Sequence, residues 1–218
     1  MEIVFYGHAC FGIKTKKARI IIDPYEEQLG AKLPPLKADI VAVTHNHFDH
    51  NFVAAVAGPE KGIAPKVING PGEYEIQGLE IEGVASYHDD KQGAERGPNT
   101  IYLFNAEGIK VCHLGDLGQS ALTDEQLEKL SLVDVLMVPV GGHFCLDAKR
   151  AVTVINQIEP KIIIPMHYQE DWLKGIEFDS LDKFIQEIGM DYGTLDVLRL
   201  SASDIPEEER KLIILKKQ

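Results

Sequence analysis

Asp39-Ile40-Val41-Ala42-Val43-Thr44-His45-Asn46-His47-Phe48-Asp49-His50-Asn51 carries an apolar run followed at once by three imidazoles and a carboxylate. The run is short and rich in β-branched residues, so it reads as a buried strand that stops where the histidines begin. Four possible metal ligands thus share one loop at a strand end. Neutral imidazole and ionised carboxylate bind zinc, iron and manganese, and one loop can hardly aim all four groups at a single tetrahedral ion. Two neighbouring ions are the natural expectation. The alternative, a polar turn rich in histidine by chance, fits poorly with only 8 histidines in 218 residues.

Upstream of the loop the chain reads as a β-meander: strands over Ile3–Tyr6, Cys10–Thr15 and Ala18–Ile22, the last ending in Asp23-Pro24. Downstream, Phe52–Ala57 suits a short helix, followed by strands near Lys66–Ile68, Tyr74–Ile76, Leu79–Ser86, Thr100–Phe104 and Ile109–Leu114. The texture then alternates. Helices are predicted from the Thr123 cap to Leu130, over Ala148–Ile158 capped by Asp147, and over Leu181–Ile188. Strands are predicted at Val133–Val138, Lys161–Pro165, Asp196–Leu200 and Lys211–Leu215. Early strands and later alternation suit two sheets covered by helices. His45, His88, Asp116 and His167 each lie just past an apolar strand, where side chains from distant stretches can meet at one rim of a sandwich.

Length and composition, with 44% hydrophobic and 26% charged residues, suit one domain over residues 1–218 with a sizeable core. Against 34 acidic side chains stand 22 basic ones, a net charge of −12, which argues against a broad nucleic-acid or anionic-membrane footprint. No run approaches the roughly 18 apolar residues of a membrane helix, and the amino terminus lacks a basic segment before an apolar core, so no membrane partner and a cytoplasmic location are expected. Cys10, Cys112 and Cys145 are too few and scattered for a disulfide framework. Reduced, buried thiols are expected.

His45-Asn46-His47-Phe48-Asp49-His50 has the H-x-H-x-D-H hallmark of the metallo-β-lactamase superfamily, which the chain resembles over nearly its whole length. His88 stands at the third-motif histidine, Gly115-Asp116 at the bridging-aspartate motif, and Pro165-Met166-His167-Tyr168 at the last. Gly7-His8-Ala9, Ile22-Asp23-Pro24, His113–Gly118 and Pro139–Gly142 look like the branch containing ascorbate-6-phosphate lactonase. The resemblance implies an α/β (α+β) fold, a four-layer αββα sandwich with a metal site at one edge of the two sheets. It implies two divalent ions, zinc first, with manganese or iron also accepted. His45, His47 and His88 would hold one ion, Asp49, His50 and His167 the other, and Asp116 would bridge them.

The same resemblance implies hydrolysis, in which a metal-bridging hydroxide attacks a small anionic lactone or ester. Asp49 and Asp116 belong to that catalytic set. His47, where flavodiiron proteins are expected to carry glutamate, favours hydrolysis over oxygen reduction. Two alternatives stand: a phosphodiesterase for a cyclic nucleotide or RNA, and a non-enzymatic metal-binding protein on the same fold. A small-molecule substrate and a possible homo-oligomer complete the expected partners.

Several further residues could serve the site. His8, in a turn between the first two strands, could contact substrate or shuttle a proton, or be structural. His143, after Gly141-Gly142, is a substrate-contact or general-acid candidate. Asp23 is expected to orient a ligand histidine, and His113 to be buried in support. Lys91 and Arg96 could bind an anionic group, with a solvated loop as the alternative. Tyr168 could donate to a reacting carbonyl or pack, and Trp172 belongs in a core or an interface.

Overall fold

The computed structural model describes residues 1–218 and contains two large sheets and a two-stranded one, which pairs Leu36–Lys37 with Val56–Ala57. In chain order the strands are β1 (Glu2–Gly7), β2 (Cys10–Lys14), β3 (Arg19–Ile22), β4 (Leu36–Lys37), β5 (Ile40–Val43), β6 (Val56–Ala57), β7 (Lys66–Asn69), β8 (Gly72–Ile76) and β9 (Leu79–Tyr87). They continue as β10 (Pro98–Ala106), β11 (Ile109–His113), β12 (Val135–Pro139), β13 (Ile162–Met166), β14 (Tyr192–Leu195), β15 (Leu198–Arg199) and β16 (Lys211–Leu215). Helices α1 (Asp124–Lys129), α2 (Ala148–Ile158) and α3 (Leu181–Ile188) all fall in the second half. Six strands form one sheet in the order β15-β1-β2-β3-β5-β7, and eight form the other as β14-β16-β13-β12-β11-β10-β9-β8.

Alternation along the strands decides which layer each side chain joins. Phe11, Ile13, Ile20, Ile22, Ile40 and Ala42 face the large core shared with the second sheet. Their neighbours Cys10, Ile21, Val41 and Val43 face a smaller core with Tyr25, Leu29, Leu173 and Phe178. The first sheet is therefore buried on both faces, which explains its near-continuous apolar strands. Its outer cover is made of loops and the 3-10 turns Glu27–Leu29 and Val53–Ala55, while the α-helices lie with the eight-stranded sheet.

The three predicted helices form, and side-chain caps fix where α1 and α2 begin. Thr123 and Gln126 make a reciprocal capping box on α1, and the Asp147 carboxylate accepts the Arg150 N–H at the start of α2. Ala148, Ala151, Ile155 and Ile158, spaced three and four apart, bury one face of α2. Two expectations fail. Phe52–Ala57 is not a helix: six residues with two valines gain more from the 3-10 turn and the pairing of β6 with β4. The strand expected at Asp196–Leu200 shrinks to β15, which pairs with β1 in the first sheet, while the unpredicted β14 joins the second.

Strand direction positions the site. β1 and β3 both run antiparallel to β2, and β3 is parallel to β5, so β1, β3 and β5 point one way. β9 and β11 both oppose β10, and β11, β12 and β13 are mutually parallel. The carboxyl ends of each group lie together, the usual place for a ligand site in such sheets.

Candidate metal centre

Six strand ends supply the cluster. His8 follows β1, Asp23 follows β3, His45 to His50 follow β5, His88 follows β9, Asp116 follows β11 and His167 follows β13. All are buried except His47, which is half-buried. The Asp116 Oδ2 is the focus: His88 Nε2 and His167 Nε2 lie 3.2 Å from it, His50 Nε2 3.3 Å and His45 Nε2 3.8 Å. Two further groups surround this centre. The ligand atoms of His45, His47 and His88 lie within 4.8 Å of one another, and so do those of Asp49, His50, His167 and His8. The structure thus brings His45, His47 and His88 together, and Asp49, His50 and His167 together with His8 beside them.

Hydrogen bonds from outside the cluster decide which ring nitrogens face inward. The Thr44 hydroxyl donates to Asp23 Oδ2 at 2.7 Å, so its oxygen accepts from His45 Nδ1 at 3.0 Å. His50 Nδ1 donates to the same Asp23 oxygen at 2.9 Å, and the Thr44 N–H donates to Asp23 Oδ1 at 2.8 Å. Asp23 therefore orients a candidate ligand, as expected. On the far side, Cys145 Sγ lies 3.4 Å from His167 Nδ1. Sequence reasoning took Cys145 only as a small buried apolar residue, and no sequence signal pairs it with His167.

These contacts leave the Nε2 atoms of His45, His50 and His167 and Asp116 Oδ1 buried without a hydrogen-bond partner. Orphaned polar atoms are rare in protein interiors, and several converging lone pairs call for a cation. The donor set, imidazole nitrogen and carboxylate oxygen, fits divalent zinc, manganese or iron.

The electrostatics of His45, His47 and Asp116 point the same way. Burial pushes the His45 imidazole well below its ordinary pKa, with His50 adding to the effect, and burial with His88 lowers His47. Burial opposes ionisation of Asp116, but His167 and His50 outweigh it and hold the carboxyl well below the carboxylate range. His50 goes the other way, because Asp116, Asp49 and Asp23 outweigh its burial. Burial and His167 bring His8 down to about 4, so near neutrality it is an uncharged donor, Nε2–H to Asp49 Oδ2 at 3.1 Å.

Two glycines allow close approach around the centre. A Cβ on Gly115, at φ 57°, would come 2.4 Å from Asn99 Oδ1, the atom that accepts the Asp116 N–H at 3.0 Å. A Cβ on Gly141 would come 2.1 Å from the His167 carbonyl oxygen. Gly141 thus lets the loop before His143 pass close to the His167 backbone.

The remaining candidates separate cleanly. His143 is exposed, stands with its ring against Phe144, and shares a cavity of about 270 Å³ with His88 and Arg96. Arg96 also lines a second cavity, of about 350 Å³, beside His45 and His47. Larger grooves of about 570 and 630 Å³ run along β8 and β9 and touch none of the seven candidate ligands. Lys91 pairs with Glu95. His113 is buried: its Nε2 donates to the Ala9 carbonyl at 3.0 Å and its Nδ1 accepts from Gly115 N at 3.1 Å, the supporting role expected. Tyr168 packs with Phe5 in the core, and Trp172 stacks on Tyr25.

Asp89 is a residue that sequence reasoning missed. Its carboxylate accepts the N–H groups of Lys91, Gly93, Glu95 and Arg96 at 2.7–2.9 Å. Burial works against its charge, yet these donors prevail and bring its pKa down to about 2. An aspartate opening a polar loop with glycine was the available signal.

Residues 2–167 match the profile of the beta-lactamase superfamily domain. A UPF0173 metal-dependent hydrolase of Thermoplasma acidophilum is 30% identical over 188 residues, 77% of this chain and 83% of that one. A UPF0173 protein of Pyrococcus furiosus is 33% identical over 185 residues, with the same coverage of both chains. A crystal structure from Thermotoga maritima, assigned to the Zn-dependent hydrolases of the metallo-beta-lactamase superfamily, is 34% identical. It matches with a TM-score of 0.78 over 98% of this chain and 97% of that one. Two sheets, a cluster at their shared edge and a profile spanning most of the chain lead to one conclusion: the chain belongs to the metallo-β-lactamase superfamily.

Proposed function

We propose that the protein is a dinuclear metal-dependent hydrolase of a small anionic lactone or ester. The observation that carries this reading is the set of buried, unpartnered imidazole and carboxylate atoms converging around Asp116. His45, His47 and His88 would hold one ion, Asp49, His50 and His167 the second, and Asp116 both. Divalent ions bound there supply Lewis acidity, which lowers the pKa of water and polarises the oxygen of the electrophile.

The chain's own residues do the rest. Asp23 and Thr44 hold His45 and His50 with their Nε2 atoms inward, and His8 holds the Asp49 carboxylate. The exposed His143 lines the cavity beside His88 and would hand a proton to a departing alkoxide. Cavities of about 270 and 350 Å³ suit a small substrate. The likeness of Gly7-His8-Ala9 and His113–Gly118 to the ascorbate-6-phosphate lactonase branch supports a lactone.

The test pairs metal analysis with turnover. Purified protein is expected to carry close to two ions per chain and to hydrolyse members of a panel of sugar lactones and carboxylate esters. Asp116→Ala is expected to lose most activity and much of the metal. Full metal and activity in that variant would remove Asp116 from the bridging role, and a metal-loaded chain inert to the whole panel would refute the substrate class.

A further inference from the structure

Every charged side chain that lines the 270 Å³ cavity beside His88 has a partner, with one exception. The Asp89 carboxylate is filled by four backbone N–H groups, Asp90 pairs with Arg150 at 2.8 Å, and Lys91 pairs with Glu95. Arg96 remains. Its guanidinium makes no hydrogen bond or ion pair to any acceptor of the protein, and it lies 3.7 Å above the centre of the Phe144 ring. That ring is itself flanked by His143 at 3.7 Å between centroids.

The arrangement is built and not incidental. Asp89 ties down the loop that carries Arg96 and accepts the Arg96 N–H itself at 2.8 Å. Phe144 gives the guanidinium an aromatic floor from a separate element, the loop between β12 and α2. A guanidinium held over an aromatic face keeps N–H donors free for a ligand, and the contact reduces the entropy lost when a ligand orders it. The fork geometry matches two oxygens of a carboxylate or a phosphate.

We infer that Arg96, seated on Phe144, is the specificity-determining anchor for an oxyanion of the substrate, set apart from the reacting bond. The inference rests on the proposed hydrolase reading and deepens it. Arg96 lines both cavities that flank the cluster, one through His88 and the other through His45 and His47. An oxyanion held there leaves the rest of a small molecule to extend toward the candidate ligands. A neutral ester would lack this anchor.

The test is a binding measurement on the full-length, zinc-loaded chain, so it does not depend on finding the substrate. Methylphosphonate and acetate are titrated separately by calorimetry, which distinguishes a phosphate from a carboxylate preference, into the unsubstituted protein, Arg96→Gln and Phe144→Leu. At least one anion is expected to bind the unsubstituted protein. Its Kd is expected to rise about tenfold or more in Arg96→Gln and less in Phe144→Leu, with zinc content and circular dichroism unchanged. Equal Kd in Arg96→Gln would overturn the proposal, because the anion would then sit elsewhere. So would the absence of binding of either anion to the unsubstituted protein. Failure of the hydrolase reading shows separately, as Arg96-dependent binding in a loaded chain that turns over nothing.

Discussion

Asp23 accepts three hydrogen bonds at 2.7–2.9 Å from Thr44 and His50, and through them it orients two imidazoles of the cluster. Asp23→Asn keeps the volume but removes the charge and one acceptor oxygen, leaving either the Thr44 N–H or both His50 Nδ1–H and the Thr44 hydroxyl without an acceptor. Metal affinity is expected to fall by about 10- to 100-fold, read by competition with a chromogenic chelator. Unchanged affinity would show that Asp23 serves the fold alone. Glu170 offers a pH-dependent test on a carboxyl that is not itself a candidate ligand. Partly buried, it accepts the His8 N–H at 3.1 Å, and burial pushes its carboxyl above the ordinary range. The folded chain thus holds this proton more tightly than the unfolded chain, so the folded state loses stability as pH rises from the ordinary carboxylate value through the raised one. Glu170→Gln keeps an acceptor oxygen without the charge. The variant is expected to melt higher than the unsubstituted protein at pH 8 and to show no such gain at pH 4. An equal gain at both would exclude ionisation as the cause.

At the scale of elements, the loop over residues 89–97 is gathered around one side chain. It contains no helix or strand until β10 begins, and the four N–H groups gathered by Asp89 add to the turn bonds from Ala94 N to the Lys91 carbonyl and from Gly97 N to the Gly93 carbonyl. Asp89→Ala removes all four acceptors at once. Limited proteolysis is expected to cut this loop first and at least several times faster than in the unsubstituted protein, while the cores stay protected. Cleavage elsewhere at an unchanged rate would contradict the tether. The strand ends behave differently. His45, His88, Asp116 and His167 each follow a strand paired on both sides, and their backbone positions are set by the sheets.

For the whole molecule, two sheets of parallel-ended strands bring residues as distant as His8 and His167 to ring centroids 4.1 Å apart. The price of that convergence is a set of buried polar atoms with no protein partner. Bound ions would relieve it and favour the folded chain. Metal held at about a thousand times its Kd would add roughly 4 kcal/mol. For a chain of this size that is on the order of 10 °C in the melting temperature. Stripping the protein with a chelator is expected to lower the melting temperature by that order, and added zinc to restore it. A melting temperature indifferent to both would place the metals outside the fold's stability.

Local rules made much of this legible. Apolar runs ending in His45, Asp116 and His167 marked buried strands, Thr123 and Asp147 marked helix starts, and the H-x-H-x-D-H spacing marked the loop that supplies most of the candidate ligands. Short-range patterns carry such information because strand alternation and helix capping act within a few residues. The rest needed tertiary structure. The sequence could not show that Thr44 links Asp23 to His45, that Cys145 meets His167, or that Asp89 gathers its loop. Nor could it show that Arg96 rests on Phe144, 48 positions away, and alone of its neighbours stays unpaired. These are long-range contacts set by how two sheets and their loops pack. Whether a charge is free depends on what every other charge around it has found.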